Sequence, residues 1–190
     1  MQENFFFGYG SLVNRATHEY ANAHCAKLHG WRRVWCHTDL RPVAFLSVVQ
    51  DTGTTISGLM AEVPGADWAA LDDREYAYDR IPCTANVSHM ADGAGTIAVY
   101  SVPDGARAQP SQTHPILQSY LDVVVQGYLQ EFGADGAQAF FDTTSGWDAP
   151  ILQDRDAPRY PRHQTLSQQE RRFVDDALDR LGVDRIRSLP

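Results

Sequence analysis

The chain has 190 residues, 43% of them apolar, and a formal charge of −8 from 24 acids against 16 bases. That is enough apolar material for one globular core without staples, and the acidic balance excludes a polyanion binder, because nucleic-acid recognition draws on clustered Lys and Arg to displace counterions. No segment reaches the roughly 18 consecutive apolar residues of a membrane span, and the opening lacks the basic-then-apolar run of a signal peptide. The expectation is a single cytoplasmic domain over residues 1–190, with no nucleic-acid or membrane partner and an oligomeric state that stays open.

In chain order, FFFGYGSLVN (5–14) starts as a buried strand and is interrupted by Tyr9, Gly10 and Ser11. A strand that ends on Tyr-Gly-Ser exposes successive backbone N–H groups, which can form a small nest for an anion or a carbonyl. Taken alone, GYGS reads first as a plain glycine turn. AKLHGWRRVWCH (26–37), VAFLSVV (43–49) and TTISGLMAEV (54–63) come next as strands rich in β-branched and aromatic residues, with DTG as the turn between the last two. Their closeness in sequence fits an antiparallel meander or a small closed barrel.

The period then changes. PGADWAALDDREYAYD (64–79) suits a short helix, with Trp68 and Leu71 three apart and acids at its exit. CTANVSHM (83–90) and GTIAVYSV (95–102) return to strand, joined by the turn ADGAG. From Pro115, Ile116, Leu117, Tyr120, Leu121, Val124 and Tyr128 recur at helical spacing. A second amphipathic helix starts after the cap Ser167, turns Phe173, Val174, Ala177, Leu178 and Leu181 inward, and stops at Gly182. Between these helices, the proline-rich segment after residue 142 reads as an ordered loop wrapped over the body and anchored by Trp147, Ile151, Leu152 and Tyr160. The predicted class is α+β: a small, mostly antiparallel β-barrel-like sheet with flanking helices, and residues 143–190 as a C-terminal wrap.

Two stretches carry chemistry. The first is the Tyr9–Gly10–Ser11 loop. The second is LDDREYAYDR (71–80), a charge run whose ordinary reading is a solvated face. Tyr76 and Tyr78 flank Glu75 there, so the segment could turn from helix to strand and carry Glu75 beside an aromatic wall. A carboxylate partly shielded from water has a raised pKa and suits proton transfer near neutrality.

Together, FFGYGSL and, some sixty residues on, the pattern LDxxExxYxR resemble the gamma-glutamylcyclotransferase family, which includes the glutathione-degrading ChaC-like enzymes and the gamma-glutamylamine cyclotransferases. Weaker likeness runs through SGLMAEV and PILQSYL. The resemblance implies a γ-glutamyl substrate held by Tyr9, Gly10, Ser11 and Leu12, with Glu75 as the catalytic acid/base and Tyr78 and Tyr120 lining the site. It implies cyclisation to 5-oxoproline with release of an amine, amino acid or peptide. Many members carry glycine just before the motif tyrosine, where this chain has Ala77, a difference that bears on substrate shape. Because the nucleophile belongs to the substrate, the chemistry needs neither a metal nor an organic cofactor. A non-catalytic binder of a small metabolite and a γ-glutamyl deprotection enzyme are the alternatives.

The other chemistry-bearing residues read more plainly. Cys25, Cys36 and Cys83 form no CxxC pair and read as reduced, mostly buried thiols. His18, His24 and Cys25 match no helical ligand spacing. Ser11 lacks the second glycine of a G-x-S-x-G elbow. Arg33 and Arg41 could meet a substrate carboxylate but read first as surface ion pairs, and the four tryptophans read as anchors.

Overall fold

The computed structural model describes residues 3–189. β1 (Glu3–Gly8) alternates as a strand must: Phe5 and Phe7 point to the main core, and Phe6 points to a smaller cluster on the opposite face with Ala61, Val63, Leu71 and Tyr100. Each buried phenylalanine contributes about 1.5–3 kcal/mol of transfer free energy. β1 is central. It runs antiparallel to the end of β3 (Phe45–Glu62) and parallel to β6 (Ala94–Ser101).

β2 (His24–Cys36) pairs along most of its length with β3. The DTG turn expected between two strands is not a chain reversal, because residues 45–62 form one strand and the reversal falls at residues 37–44. DTG instead sits in a bulge opposite Gly30, whose φ of +78° is a left-handed conformation that suits glycine. Asp51 stabilises the bulge, accepting from the Gly53 amide, the Thr54 hydroxyl and Arg32.

β4 (Asp79–Pro82) and β5 (Val87–His89) flank the sheet, so the order is β4–β6–β1–β3–β2–β5, with the short β8 (Thr144–Ser145) also on β2. The predicted strand over 83–90 is shorter than expected because residues 84–86 form a single 3₁₀ turn. The mostly antiparallel sheet curls into a half-barrel.

Ile116 and Leu117, whose spacing predicts the start of a helix, form a two-residue strand, β7 (Ile116–Leu117), in a second parallel sheet with β9 (Ile151–Leu152) and β10 (Arg185–Ile186). α2 (Gln118–Asp142) comes next, buried on all sides over residues 121–128 and broken at Gly133. It fills the concave side of the sheet, where Leu121, Val124, Val125 and Tyr128 join the main core. α3 (Gln168–Leu181) has the expected Ser167–Glu170 capping box and ends on left-handed Gly182. Val174, Ala177 and Leu178 are buried on its inward face and Phe173 packs against the core partly buried, while Leu181 is 41% exposed rather than buried. The wrap anchors as expected: Trp147 packs on Trp35 and Phe141, and Ile151 and Leu152 are buried. The cysteines are free, with Cys36 and Cys83 buried and Cys25 exposed.

Candidate active site

The site forms where β1 ends. After Gly8 the chain leaves the sheet through a 3₁₀ turn at residues 11–13, closed by the Val13 amide on the Gly10 carbonyl and the Asn14 amide on the Ser11 carbonyl, both at 3.0 Å. The Gly10, Ser11 and Leu12 amides precede the first of these bonds, so the turn leaves them at its unpaired end. Gly10 is required for space rather than for left-handed backbone: its φ is −117°, and a Cβ there would sit 2.5 Å from the Tyr120 hydroxyl. The Ser11 amide donates to that hydroxyl oxygen.

Two supports hold the loop. Beneath it, the Tyr9 carbonyl accepts from Arg33 Nε at 3.2 Å and from the Tyr128 hydroxyl at 3.1 Å. Beside it, the Leu12 carbonyl lies 2.9 Å from His18 Nε2. The Tyr20 amide donates to His18 Nδ1, so Nε2 carries the ring proton and donates to Leu12. Burial, chiefly, lowers the His18 pKa and favours this neutral ring.

The second motif supplies the other wall. α1 (Trp68–Arg74) starts at Asp67, whose carboxylate caps the Ala70 amide, and buries Leu71 in the outer cluster. Asp72 accepts from the Tyr100 hydroxyl at 2.6 Å and takes Arg80 in two bonds, with Arg80 lying over the Trp68 ring. Leu71, Asp72 and Arg80 therefore dock the helix on the sheet. Glu75 sits at the helix exit, fixed on both sides by backbone bonds, its own amide to the Leu71 carbonyl at 2.9 Å and the Tyr78 amide to its carbonyl at 2.8 Å. Tyr78 turns inward, while Tyr76 is 61% exposed and accepts a bond from Arg41. The aromatic wall expected beside Glu75 is thus Tyr78 alone.

Two neighbouring cavities open here. The first, about 110 Å³, runs from the Gly8–Leu12 loop past His18 and Tyr20 to Glu75. The second, about 220 Å³, runs from Glu75 past Arg41, Phe45 and Tyr160. Ser11, Arg74, Glu75, Tyr78 and Tyr120 line both and form the divide between them. All seven residues singled out from the sequence, Tyr9, Gly10, Ser11, Leu12, Glu75, Tyr78 and Tyr120, border the first cavity. Ala77 borders the second, which places its departure from glycine on the far side of Glu75 from the loop.

The Glu75 side chain is 30% exposed, and burial raises its pKa, opposed by the charges of Arg74 and Arg162. Burial also raises the Tyr9, Tyr78 and Tyr120 hydroxyls, so these phenols stay neutral hydrogen-bonding groups near neutrality. Tyr9 spends its proton on the Tyr100 carbonyl at 2.7 Å.

Sequence reasoning misses Arg74, His18 and Arg162 as lining residues, of which only Arg74 lies inside the two motifs, whereas Tyr160, which with the proline-rich loop is a candidate to close the pocket, borders the second cavity. Tyr160 packs edge-on against Tyr120 at 5.0 Å. Arg33 corrects an expectation. It is 1% exposed, bonded to carbonyls and hydroxyls, and paired with no carboxylate among the described residues, so it is neither a surface ion pair nor exposed to ligand. Arg41 is exposed at the mouth of the second cavity.

The geometry has counterparts in known structures. An uncharacterized protein from Homo sapiens superposes with TM-score 0.57 at 13% identity, covering 92% of this chain and 99% of that one. A structure described as a gamma-glutamyl cyclotransferase gives 0.53 at 13% identity over the same shares. YkqA from Bacillus subtilis gives 0.54 at 17%, covering 77% of this chain and 57% of its own. These identities show a common fold. A comparison with curated protein sequences finds no match. The family described as gamma-glutamyl cyclotransferase, AIG2-like, matches residues 6–120, a span that holds the loop, Glu75, Tyr78 and Tyr120. With more than half its length matched and the two motifs converging on one cavity, the chain belongs to the AIG2-like gamma-glutamyl cyclotransferase family.

Proposed function

We propose that the protein converts a γ-glutamyl amine or amide to 5-oxoproline and a free amine, with Glu75 as both base and acid. The observation that carries this reading is the position of Glu75, half-shielded on the divide between two cavities, with its pKa raised by burial. The γ-glutamyl group occupies the smaller cavity and the leaving group the larger.

An α-ammonium is no nucleophile, so Glu75 first takes its proton. The amine then attacks the γ-carbonyl carbon, which closes the five-membered ring. The amides of Gly10 and Leu12, with the neutral Tyr120 hydroxyl held by the Ser11 amide beside them, face the carbonyl oxygen as it gains charge. When the carbon–nitrogen bond to the leaving group breaks, Glu75 returns its proton to that nitrogen, and the second proton of the new ring nitrogen follows through the same carboxylate, so the lactam leaves with one N–H and the amine leaves as its ammonium. No water is consumed, and the carboxylate ends as it began. A pure binder of an anionic ligand gains nothing from a half-buried carboxylate, and this favours the enzyme over the binding module.

Incubation with glutathione, γ-glutamyl amino acids and γ-glutamyl-lysine is expected to yield 5-oxoproline and amine in equal amounts from at least one of them. Free glutamate as the product would replace cyclisation by hydrolysis, and no product from any would remove the enzymatic reading. Gly10→Ala tests the loop. Its methyl displaces the Tyr120 hydroxyl, and kcat/KM is expected to fall by about tenfold or more while the melting temperature stays near that of the unaltered protein. An unchanged kcat/KM would remove the loop from the chemistry.

A further inference from the structure

We infer that Arg162, delivered by the C-terminal wrap, recognises the α-carboxylate of the γ-glutamyl group; the inference rests on the cyclotransferase reading above. Arg162 borders the smaller cavity together with the Gly8–Leu12 loop and Glu75, yet it lies beyond the family-matched span. A γ-glutamyl group brings two charges into that cavity. Its α-ammonium must sit at Glu75 to be deprotonated, so its α-carboxylate needs a cation on the same side.

The other cations there are committed. Arg74 lies 3.5 Å from Glu75 and bonds the Tyr20 hydroxyl. His18 uses both ring nitrogens on the backbone. Arg162 donates through Nε to the Tyr160 hydroxyl at 3.2 Å, and among the described residues it pairs with no carboxylate, which leaves the guanidinium fork for a ligand.

The wrap that carries it is fastened to the start of α2. Asp154 accepts from the Ser119 amide at 2.7 Å, the Ser119 hydroxyl at 2.6 Å and the Arg159 amide at 2.9 Å. The Tyr160 amide donates to the Ser119 hydroxyl at 3.2 Å. The residue after Ser119 is Tyr120, so one carboxylate sets the wrap and the cavity wall in a common frame. Arg155, in the wrap just after β9, adds bonds to Asp122 on α2 and Asp175 on α3.

The lactam product keeps the α-carboxylate, so the contact is readable without turnover. Binding of 5-oxoproline and of 5-oxoprolinamide, measured by calorimetry, is expected to favour the carboxylate by about tenfold or more in the unaltered protein. Arg162→Gln is expected to bring the two affinities together and leave the amide's unchanged, and Arg162→Lys to restore part of the preference. A second readout is the pH dependence of kcat/KM. Glu75 is faced by Arg74, Arg162, Tyr9, Tyr78, Tyr100 and Tyr120. Loss of the Arg162 charge raises Glu75 further and moves the acid limb to higher pH. A carboxylate preference that survives intact in Arg162→Gln overturns the assignment while the cyclotransferase reading stands. Binding of neither compound to the unaltered protein, with no 5-oxoproline formed from any γ-glutamyl substrate, overturns the reading and the assignment together.

Discussion

Glu75→Gln is expected to lower turnover by about 10³-fold or more while the variant still melts cooperatively and still binds 5-oxoproline. The amide keeps the shape of the side chain and the backbone bonds to Leu71 and Tyr78 that fix the helix exit, because those bonds do not involve the carboxylate. What it loses is the proton carrier for both halves of the reaction, with no second carboxylate among the described residues bordering either cavity to take over. In the unaltered protein the base form must be present, so activity rises with pH through the folded-state pKa of Glu75. Burial places that limb above the ordinary glutamate range. A pH–rate series on kcat/KM locates it, and a Gln variant with full activity would assign the proton transfers elsewhere.

Arg33→Met acts through structure and is expected to be the most destabilising single change near the site. The guanidinium lies against the packed Tyr128 and Phe140 rings, 4.9 and 5.2 Å from their centroids. It donates to the Tyr9 and Ser57 carbonyls, to Thr143 and to the Tyr128 hydroxyl. Methionine matches its length but donates nothing, so buried carbonyls lose partners at about 1–3 kcal/mol each. A net loss of about 3 kcal/mol lowers Tm by roughly 6–12 °C in a chain of this size. Activity is expected to fall with it, because the Tyr9 carbonyl is where the substrate loop is tied to the sheet. A melting temperature within a degree or two of the original would show that Tyr128 alone holds the loop.

The fold and the site are legible in the sequence to the extent that each signal is local. Phe5, Phe6 and Phe7 announce a two-faced strand by themselves, and the Ser167–Glu170 cap needs four residues to be read. The loop and Glu75 stand out because each lies inside a short motif. DTG has the composition of a turn, yet partnering with one long β2 makes it a bulge. Ile116 and Leu117 match the helical spacing of Tyr120, Val124 and Tyr128, but the β9 backbone, a contact from far along the chain, takes them as strand. Arg33 carries no sign of burial in GWRRVW, where Arg32 beside it is a surface partner of Asp51. Arg162 and Tyr160 enter the site only because Asp154 and Ser119 meet, and no spacing encodes that meeting.

The central place of β1 also sets an order of events during synthesis. Phe7 pairs with Met60 on one side and Val99 on the other, so the strand is made long before either partner exists. At ordinary ribosomal rates the wait to residue 99 is on the order of 10 s, and meanwhile an all-aromatic tripeptide lies open in the nascent chain. Such a segment is a natural ligand for a holdase and a seed for aggregation if none binds. The β2–β3 pair, joined by a short connection, can form first and offer β1 its antiparallel edge. The parallel β6 edge, Tyr120 and then Arg162 arrive in that order, so the ligand cavity cannot be complete until most of the chain has been made.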